Sequence, residues 1–207
     1  MFLTGQWVQP SMNYQSTCYL LGAAQLEQLP YDTGAEVAFA GRSNAGKSSA
    51  INVITGLSKL ARTSNTPGRT QLINLFAVNE HCRLVDLPGY GFAQVPVAMK
   101  QKWQATLSNY LEVRECLKGI VLMMDIRHPF KPYDEMMIAW AVSSGLPMHI
   151  LLTKSDKLKH GAATRTLLAV KKKLSDHADI SVQLFSSLKK TGVDQARDIL
   201  DCWFNQS

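Results

Sequence analysis

The first 41 residues of this 207-residue chain contain no lysine and no arginine. A secretory leader opens on a basic segment, so none is expected here. No apolar run reaches membrane-spanning length either; the best, 119–124, is the size of a strand. The four cysteines, Cys18, Cys82, Cys116 and Cys202, make neither a Cys-x-x-Cys pair nor a dense framework. That usage points to reduced thiols and a cytoplasmic setting. Five histidines lie scattered, which argues against a metal cluster built from them. Internal repeats and low-complexity tracts are missing as well. Acid is absent over one long stretch. Between Val37 and Asn79 there is none, while Arg42, Lys47, Lys59, Arg62 and Arg69 all occur there.

What is present describes an ordinary folded domain. Hydrophobic residues make up 46 % of the chain and charged residues 18 %. A chain of this length can bury a sizeable core as one domain, or as one domain with an appendage. The net charge is +6, and all of the basic residues lie from Arg42 onward. A second basic concentration runs from Lys154 to Lys190 and includes Lys171-Lys172-Lys173 and Lys189-Lys190. Two readings of it stay open: a solvated helix face, or a docking face for a polyanion.

The stretch that organises the chain is Gly41-Arg42-Ser43-Asn44-Ala45-Gly46-Lys47-Ser48, with Ser49 following. It fits G-x-x-x-x-G-K-[ST], the phosphate-binding P-loop. Val37–Ala40 upstream reads as a buried strand, and 48–54 downstream can start a helix that stops near Gly56. The glycines let backbone N–H groups curl inward onto phosphate oxygens, and the helix N-terminus adds its partial positive charge. Lys47 would reach the β and γ phosphates, and the Ser48 hydroxyl would ligate Mg²⁺. Part of the acid-free belt around this loop then serves to neutralise a bound triphosphate.

Strands are predicted at 37–40, 72–78, 82–87, 119–125, 149–153 and 180–186. The second and third form a hairpin through Asn79-Glu80-His81. Residues 59–70 read as a loop. Helical spacing follows from Pro96, where Trp103, Leu107, Tyr110 and Leu111 share a face, with the end near Cys116. Tyr133, Met136, Met137 and Trp140 stripe a further helix, 162–176 makes a basic one, and Val193, Ala196, Leu200, Trp203 and Phe204 line the last. The implied fold is α/β: a mostly parallel six-stranded sheet with one antiparallel strand and helices on both faces. Residues 1–34 read as an N-terminal extension with a short helix before Pro30, and 35–207 as the nucleotide-binding domain. Right-handed crossovers would gather the loops after the parallel strands on one rim.

Those loops carry the remaining chemistry. Asp86-Leu87-Pro88-Gly89 reads D-x-x-G; Asp86 would hold Mg²⁺ through a water, and the Gly89 amide could sense a γ-phosphate. Thr153-Lys154-Ser155-Asp156 resembles N/T-K-x-D. An Asp carboxylate accepts two hydrogen bonds from guanine, at N1–H and the N2 amine, whereas adenine offers neither donor there. The Lys154 stem would lie along the base plane. Ser186-Ser187-Leu188 resembles the loop whose backbone amide touches guanine O6. Together these are the G1, G3, G4 and G5 elements of a GTPase.

With Thr66-Pro67-Gly68-Arg69-Thr70-Gln71 between the first two, the chain over residues 18–204 resembles the EngB (YihA/YsxC) GTPases of the Era/TrmE-like group. Spacing alone leaves Thr66 and Thr70 open as the switch I metal ligand; the resemblance implies Thr70. It also implies that Gly68, Arg69, Thr70, Gln71 and Leu72 sit near the nucleotide. GTP and GDP become the expected ligands, and Lys47, Thr70 and Gly89 the expected catalytic groups. A role in assembling the large ribosomal subunit, through its RNA and proteins, follows from the resemblance, with links to cell division and septation; a monomer is expected. Tyr90 stands where many GTPases carry a water-positioning Gln, so slow turnover is expected. Asn44 occupies a position where several relatives ligate K⁺. For Asn44, a K⁺ ligand and a simple loop brace both stay open.

Overall fold

Every residue of Ala35–Gly41 (β2) is buried, Val37 and Phe39 toward one face and Ala38 and Ala40 toward the other. A strand covered on both sides reads as a continuous apolar run, which is why it was legible. The computed structural model describes residues 11–61, 72–89, 105 and 107–206. Its elements in order are β1 (Cys18–Ala23), β2, α1 (Lys47–Thr55), β3 (Ile73–Ala77) and β4 (Cys82–Asp86). A helical run at 107–113 follows, then β5 (Leu117–Asp125), α2 (Pro132–Ser144) and β6 (Met148–Thr153). Last come α3 (His160–Lys173), β7 (Ile180–Leu184) and α4 (Val193–Phe204). Among the described residues no helix is long and apolar enough to cross a membrane.

The strands form one seven-stranded sheet in the order β1-β3-β4-β2-β5-β6-β7. β3 runs antiparallel to both its neighbours, and the other pairings are parallel. Helices α1 and α4 cover one face through Ala50, Ile51, Ile54, Leu200, Trp203 and Phe204. The run 107–113 with α2 and α3 covers the other, through Leu107, Tyr110, Met137, Ile138 and Val170. The α4 packing is close. A Cβ at Gly119 would stand 2.7 Å from the Trp203 ring, so any larger residue there would force β5 or α4 to shift. The chain leaves β2 toward β3 on one side and β4 sends it to β5 on the other, so the topology switches at β2. At such a switch α/β sheets bind ligands beyond the C-terminal ends of their strands.

The far rim of the sheet is held by a buried polar cluster. Glu36, fully buried, accepts from Arg83 Nε at 2.8 Å, Arg114 Nη2 at 2.7 Å and Tyr110 OH at 2.9 Å. Burial alone would raise its carboxyl, but the bonds and charges of Arg114 and Arg83 outweigh that and hold it below the usual range. Arg114 also donates to the Pro30 carbonyl at 2.9 Å, and Asp32 accepts from the Cys116 N–H at 2.9 Å. Three segments that meet only in the fold are thereby pinned where the strands begin.

Three expectations need correction. The sheet has seven strands rather than six, because Cys18–Ala23 joins its edge as β1 beside β3. Its first half is exposed and its register slips between Tyr19 and Leu21, so no alternation marks it as a strand. On α2 Met137 is buried and Tyr133 and Trp140 pack half-buried against the core as expected, whereas Met136 is 42 % exposed and Asp134, Ile138 and Ala141 are buried instead. Asp134, buried, accepts from the Lys131 N–H at 3.1 Å and caps the helix. The short helix expected before Pro30 is a single 3-10 turn, Leu26–Gln28.

Candidate functional site

At the C-terminal end of β2 the backbone turns through Arg42–Ala45, with the Ala45 N–H returning to the Arg42 carbonyl at 3.0 Å. Gly46 caps α1 at φ +98°, a left-handed conformation that disfavours side chains whatever the space around it. Asn44 takes φ +62° and is exposed. The helix then begins at Lys47, whose side chain is buried against the loop rather than projecting to solvent. Its ammonium pairs with the carboxylate of Asp86, 3 % exposed at the end of β4. Ser48 and Ser49, one and two residues on, are half-buried.

β4 delivers its loop directly onto this turn. The Leu87 N–H donates to the Phe39 carbonyl at 3.1 Å, extending the β4–β2 pairing beyond Asp86. Pro88 is buried, and Gly89 lies so close that a Cβ there would meet the Ser43 backbone at 3.4 Å. Gly41, Arg42, Ser43, Asn44, Ala45, Gly46, Asp86, Leu87, Pro88 and Gly89 therefore come together as one surface.

β6 brings the third loop. The Thr153 hydroxyl lies 2.7 Å from the Ala45 carbonyl and 3.2 Å from that of Met124. Its single proton serves the nearer acceptor, so a threonine tethers this loop to the turn after β2 without a carboxamide. Lys154 adopts φ +59° and donates from Nζ to the Asn44 carbonyl at 2.7 Å. The Ser155 N–H bonds to the Phe185 carbonyl at 3.1 Å, and Asp156 Oδ1 accepts from Ser186 Oγ at 2.5 Å. Ser186 takes a further bond from the Lys189 N–H at 3.1 Å, and its backbone pairs with Thr191. Ser187 is half-buried in this last loop, while Leu188 is 73 % exposed.

The structure thus assembles the residues expected from the four loop motifs. Leu72 is described too, 38 % exposed just before β3. Gly68, Arg69, Thr70 and Gln71 fall outside the described residues, as does Tyr90. One pair escaped sequence reading. Asp125, at the end of β5, is gripped by Arg127 through Nε–Oδ1 at 2.9 Å and Nη2–Oδ2 at 2.6 Å. It also meets Lys154 Nζ at 3.0 Å. Burial would raise the Asp125 carboxyl, but the hydrogen bonds from Arg127 and Lys154 hold it well below the usual carboxylate range. The available signal was its place, an acid ending a parallel strand on the same rim.

Among the described residues no group of three His, Cys, Asp or Glu side chains could hold a metal unaided. Ser48, the next residue on α1, and Asp86, paired with the Lys47 ammonium, offer hard oxygen donors. A donor set so sparse fits Mg²⁺, which takes few protein ligands and completes its shell with water and phosphate oxygens.

Comparison with known proteins agrees with this geometry. Residues 36–154 match the family model described as 50S ribosome-binding GTPase. The chain is 59 % identical over 194 residues to the "Probable GTP-binding protein EngB" of Vibrio parahaemolyticus, covering 93 % of this chain and 89 % of that protein. It is 60 % identical to the protein of the same name from Edwardsiella ictaluri, over 94 % and 90 %. A crystal structure of a probable GTP-binding protein engB superposes with a TM-score of 0.68 at 20 % identity, covering 84 % of this chain and all of that one.

Proposed function

The chain belongs to the EngB family of GTP-binding proteins and is a GTPase, and from that premise we propose a slow, Mg²⁺-dependent switch that acts on the large ribosomal subunit. The carrying observation is the set of bonds joining four loops on one rim: Lys47 to Asp86, Thr153 to Ala45, Lys154 to Asn44, and Ser186 to Asp156. Lys47 would exchange Asp86 for the β and γ phosphate oxygens, and Arg42–Ser49 would wrap the phosphates with backbone N–H groups. Asp156, with Ser186, Ser187 and Leu188 beside it, would read guanine. Ser48 and Thr70 directly, and Asp86 through water, would hold Mg²⁺, which supplies charge neutralisation at the phosphates.

The reaction is attack of water on the γ-phosphorus, giving GDP and phosphate. Lys47 and the Gly89 amide would stabilise charge on the transferring group. With Tyr90 in place of a carboxamide, turnover is slow until a partner or a cation assists. Comparing rates in KCl and NaCl, with Asn44→Ala beside wild type, separates a K⁺ ligand from a loop brace.

The ribosomal role is supported by the family's description as ribosome-binding and by the density of exposed lysine on α3. Effects on cell division and septation would follow from it through the supply of ribosomes. The protein would work in the cytoplasm as a monomer. Co-sedimentation with isolated large subunits, in a non-hydrolysable GTP analogue against GDP, tests the reading. Binding that follows the analogue supports it; no binding in either state refutes it.

A further inference from the structure

Lys154 makes two bonds at once. Its ammonium donates to the Asn44 carbonyl at 2.7 Å and meets the Asp125 carboxylate at 3.0 Å. A lysine ammonium has three N–H donors, so one remains to be offered to a nucleoside. A long side chain that swings freely must be frozen when a ligand arrives, and that freezing weakens binding. Here the freezing is done in advance.

Asp125 is itself immobilised. Arg127 grips both carboxylate oxygens, at 2.9 and 2.6 Å, and the Arg127 N–H adds a bond to Oδ1 at 3.1 Å. The intervening Ile126 N–H donates to the Thr153 carbonyl at 3.1 Å, stitching the end of β5 to the residue before Lys154. The carboxylate side chain is 17 % exposed, so its attraction to the ammonium is only partly screened.

The geometry points to Asp125, clamped by Arg127, as a positioning residue that sets Lys154 across the base site and slows the escape of guanine nucleotide. Asp125 would act only through Lys154. The inference rests on the nucleotide-site reading above. Since Lys154 lies at the base end, the loss on removing Asp125 should be equal for GDP and GTP, and kcat at saturating GTP should stay unchanged.

The test is a double-mutant cycle read by titration calorimetry with GDP and with GTP in Mg²⁺. Asp125→Ala is expected to raise both dissociation constants by about two- to fivefold, the upper part of the range for exposed charged pairs. Asp125→Asn, which keeps the shape and a hydrogen-bond acceptor, should lose less, and thermal melting shows whether either variant folds. In a Lys154→Ala background, Asp125→Ala should cost nothing further. A dissociation constant equal to wild type in folded Asp125→Ala overturns the inference, as does a full loss persisting without Lys154. Failure of the wild-type chain to bind GDP would instead overturn the nucleotide reading, and the inference with it.

Discussion

Asp156 arrives at the rim with one oxygen already engaged, since Oδ1 accepts from the Ser186 hydroxyl at 2.5 Å. That bond aims the carboxylate and leaves its other lone pairs for a base carrying adjacent N–H donors. Asp156→Asn keeps the shape but exchanges an acceptor for an amide donor. GTP affinity is expected to fall by about tenfold or more, with a relative gain for XTP. Calorimetry with both nucleotides checks it, and unchanged GTP affinity would remove Asp156 from base recognition. His149 offers a different handle, away from the rim chemistry. Its ring is buried between Ser181 Oγ at 2.6 Å and Gln183 Oε1 at 2.8 Å. Gln183 spends its amide on the Gly192 carbonyl, so its oxygen must accept from Nε2–H and the neutral ring takes the Ser181 proton at Nδ1. Burial pushes the imidazole below its ordinary value, the Gln183 bond only partly opposing it. Below about pH 6.5 the unfolded chain therefore takes a proton that the folded chain refuses. Stability is full above that pH and falls as pH drops toward the folded pKa. Melting temperatures between pH 7.5 and 5.5 should decline for wild type and decline less for His149→Gln. At this scale the P-loop, D-x-x-G and T-K-S-D residues were legible because each motif is a short string. Asp125 with Lys154, and Ser186 with Asp156, join residues about thirty positions apart, and no local pattern announces such bonds.

Among the elements, β5 and α4 meet more closely than their sequences suggest. Gly119 looks like a weak point in an apolar strand, yet a Cβ there would press 2.7 Å from the Trp203 ring. Trp203 is 6 % exposed and hemmed in by the core, so it has little room to yield. Gly119→Ala should destabilise the domain by about 1–3 kcal/mol, measured by urea unfolding. A neutral result would mean that α4 can shift along the sheet. The α4 stripe itself was fully legible, since Val193, Ala196, Leu200, Trp203 and Phe204 are its buried residues. On α2 only Met136 was misplaced, because apolar residues occur all round that helix and its spacing alone does not single out one face. β1 was hidden for the opposite reason. A strand that rests on one neighbour, with half its length in solvent, has no pattern to show.

For the whole molecule, charge is sorted by position. Lys171, Lys172 and Lys173 end α3 on an exposed surface, where Lys173 pairs with Glu135 at 2.7 Å and stacks over Phe130 at 4.0 Å. Reversing these three charges should leave GDP affinity intact, since none of their described bonds involves the nucleotide loops. If the patch meets RNA, association with ribosomal subunits should weaken. The slope of log affinity against log salt should also become shallower, by about one for each phosphate no longer paired with a lysine. Equal salt slopes for variant and wild type would return the lysines to the role of a solvated helix face.

The edge strand has a practical consequence for anyone shortening the chain. β1 lies along β3 over the pairs from Cys18 with Ala77 to Ala23 with Ile73, and Tyr14 anchors the residues before it by donating to Asp201 at 2.6 Å. A fragment cut to begin at Ala35 would keep all four nucleotide loops. It would also strip the cover from β3 and leave that strand's outer N–H and C=O groups open to any passing strand. Such a fragment should cloud at concentrations where the full chain stays clear, with light scattering that grows over hours. Clear, monodisperse solutions of the fragment would show instead that β1 is a dispensable trim.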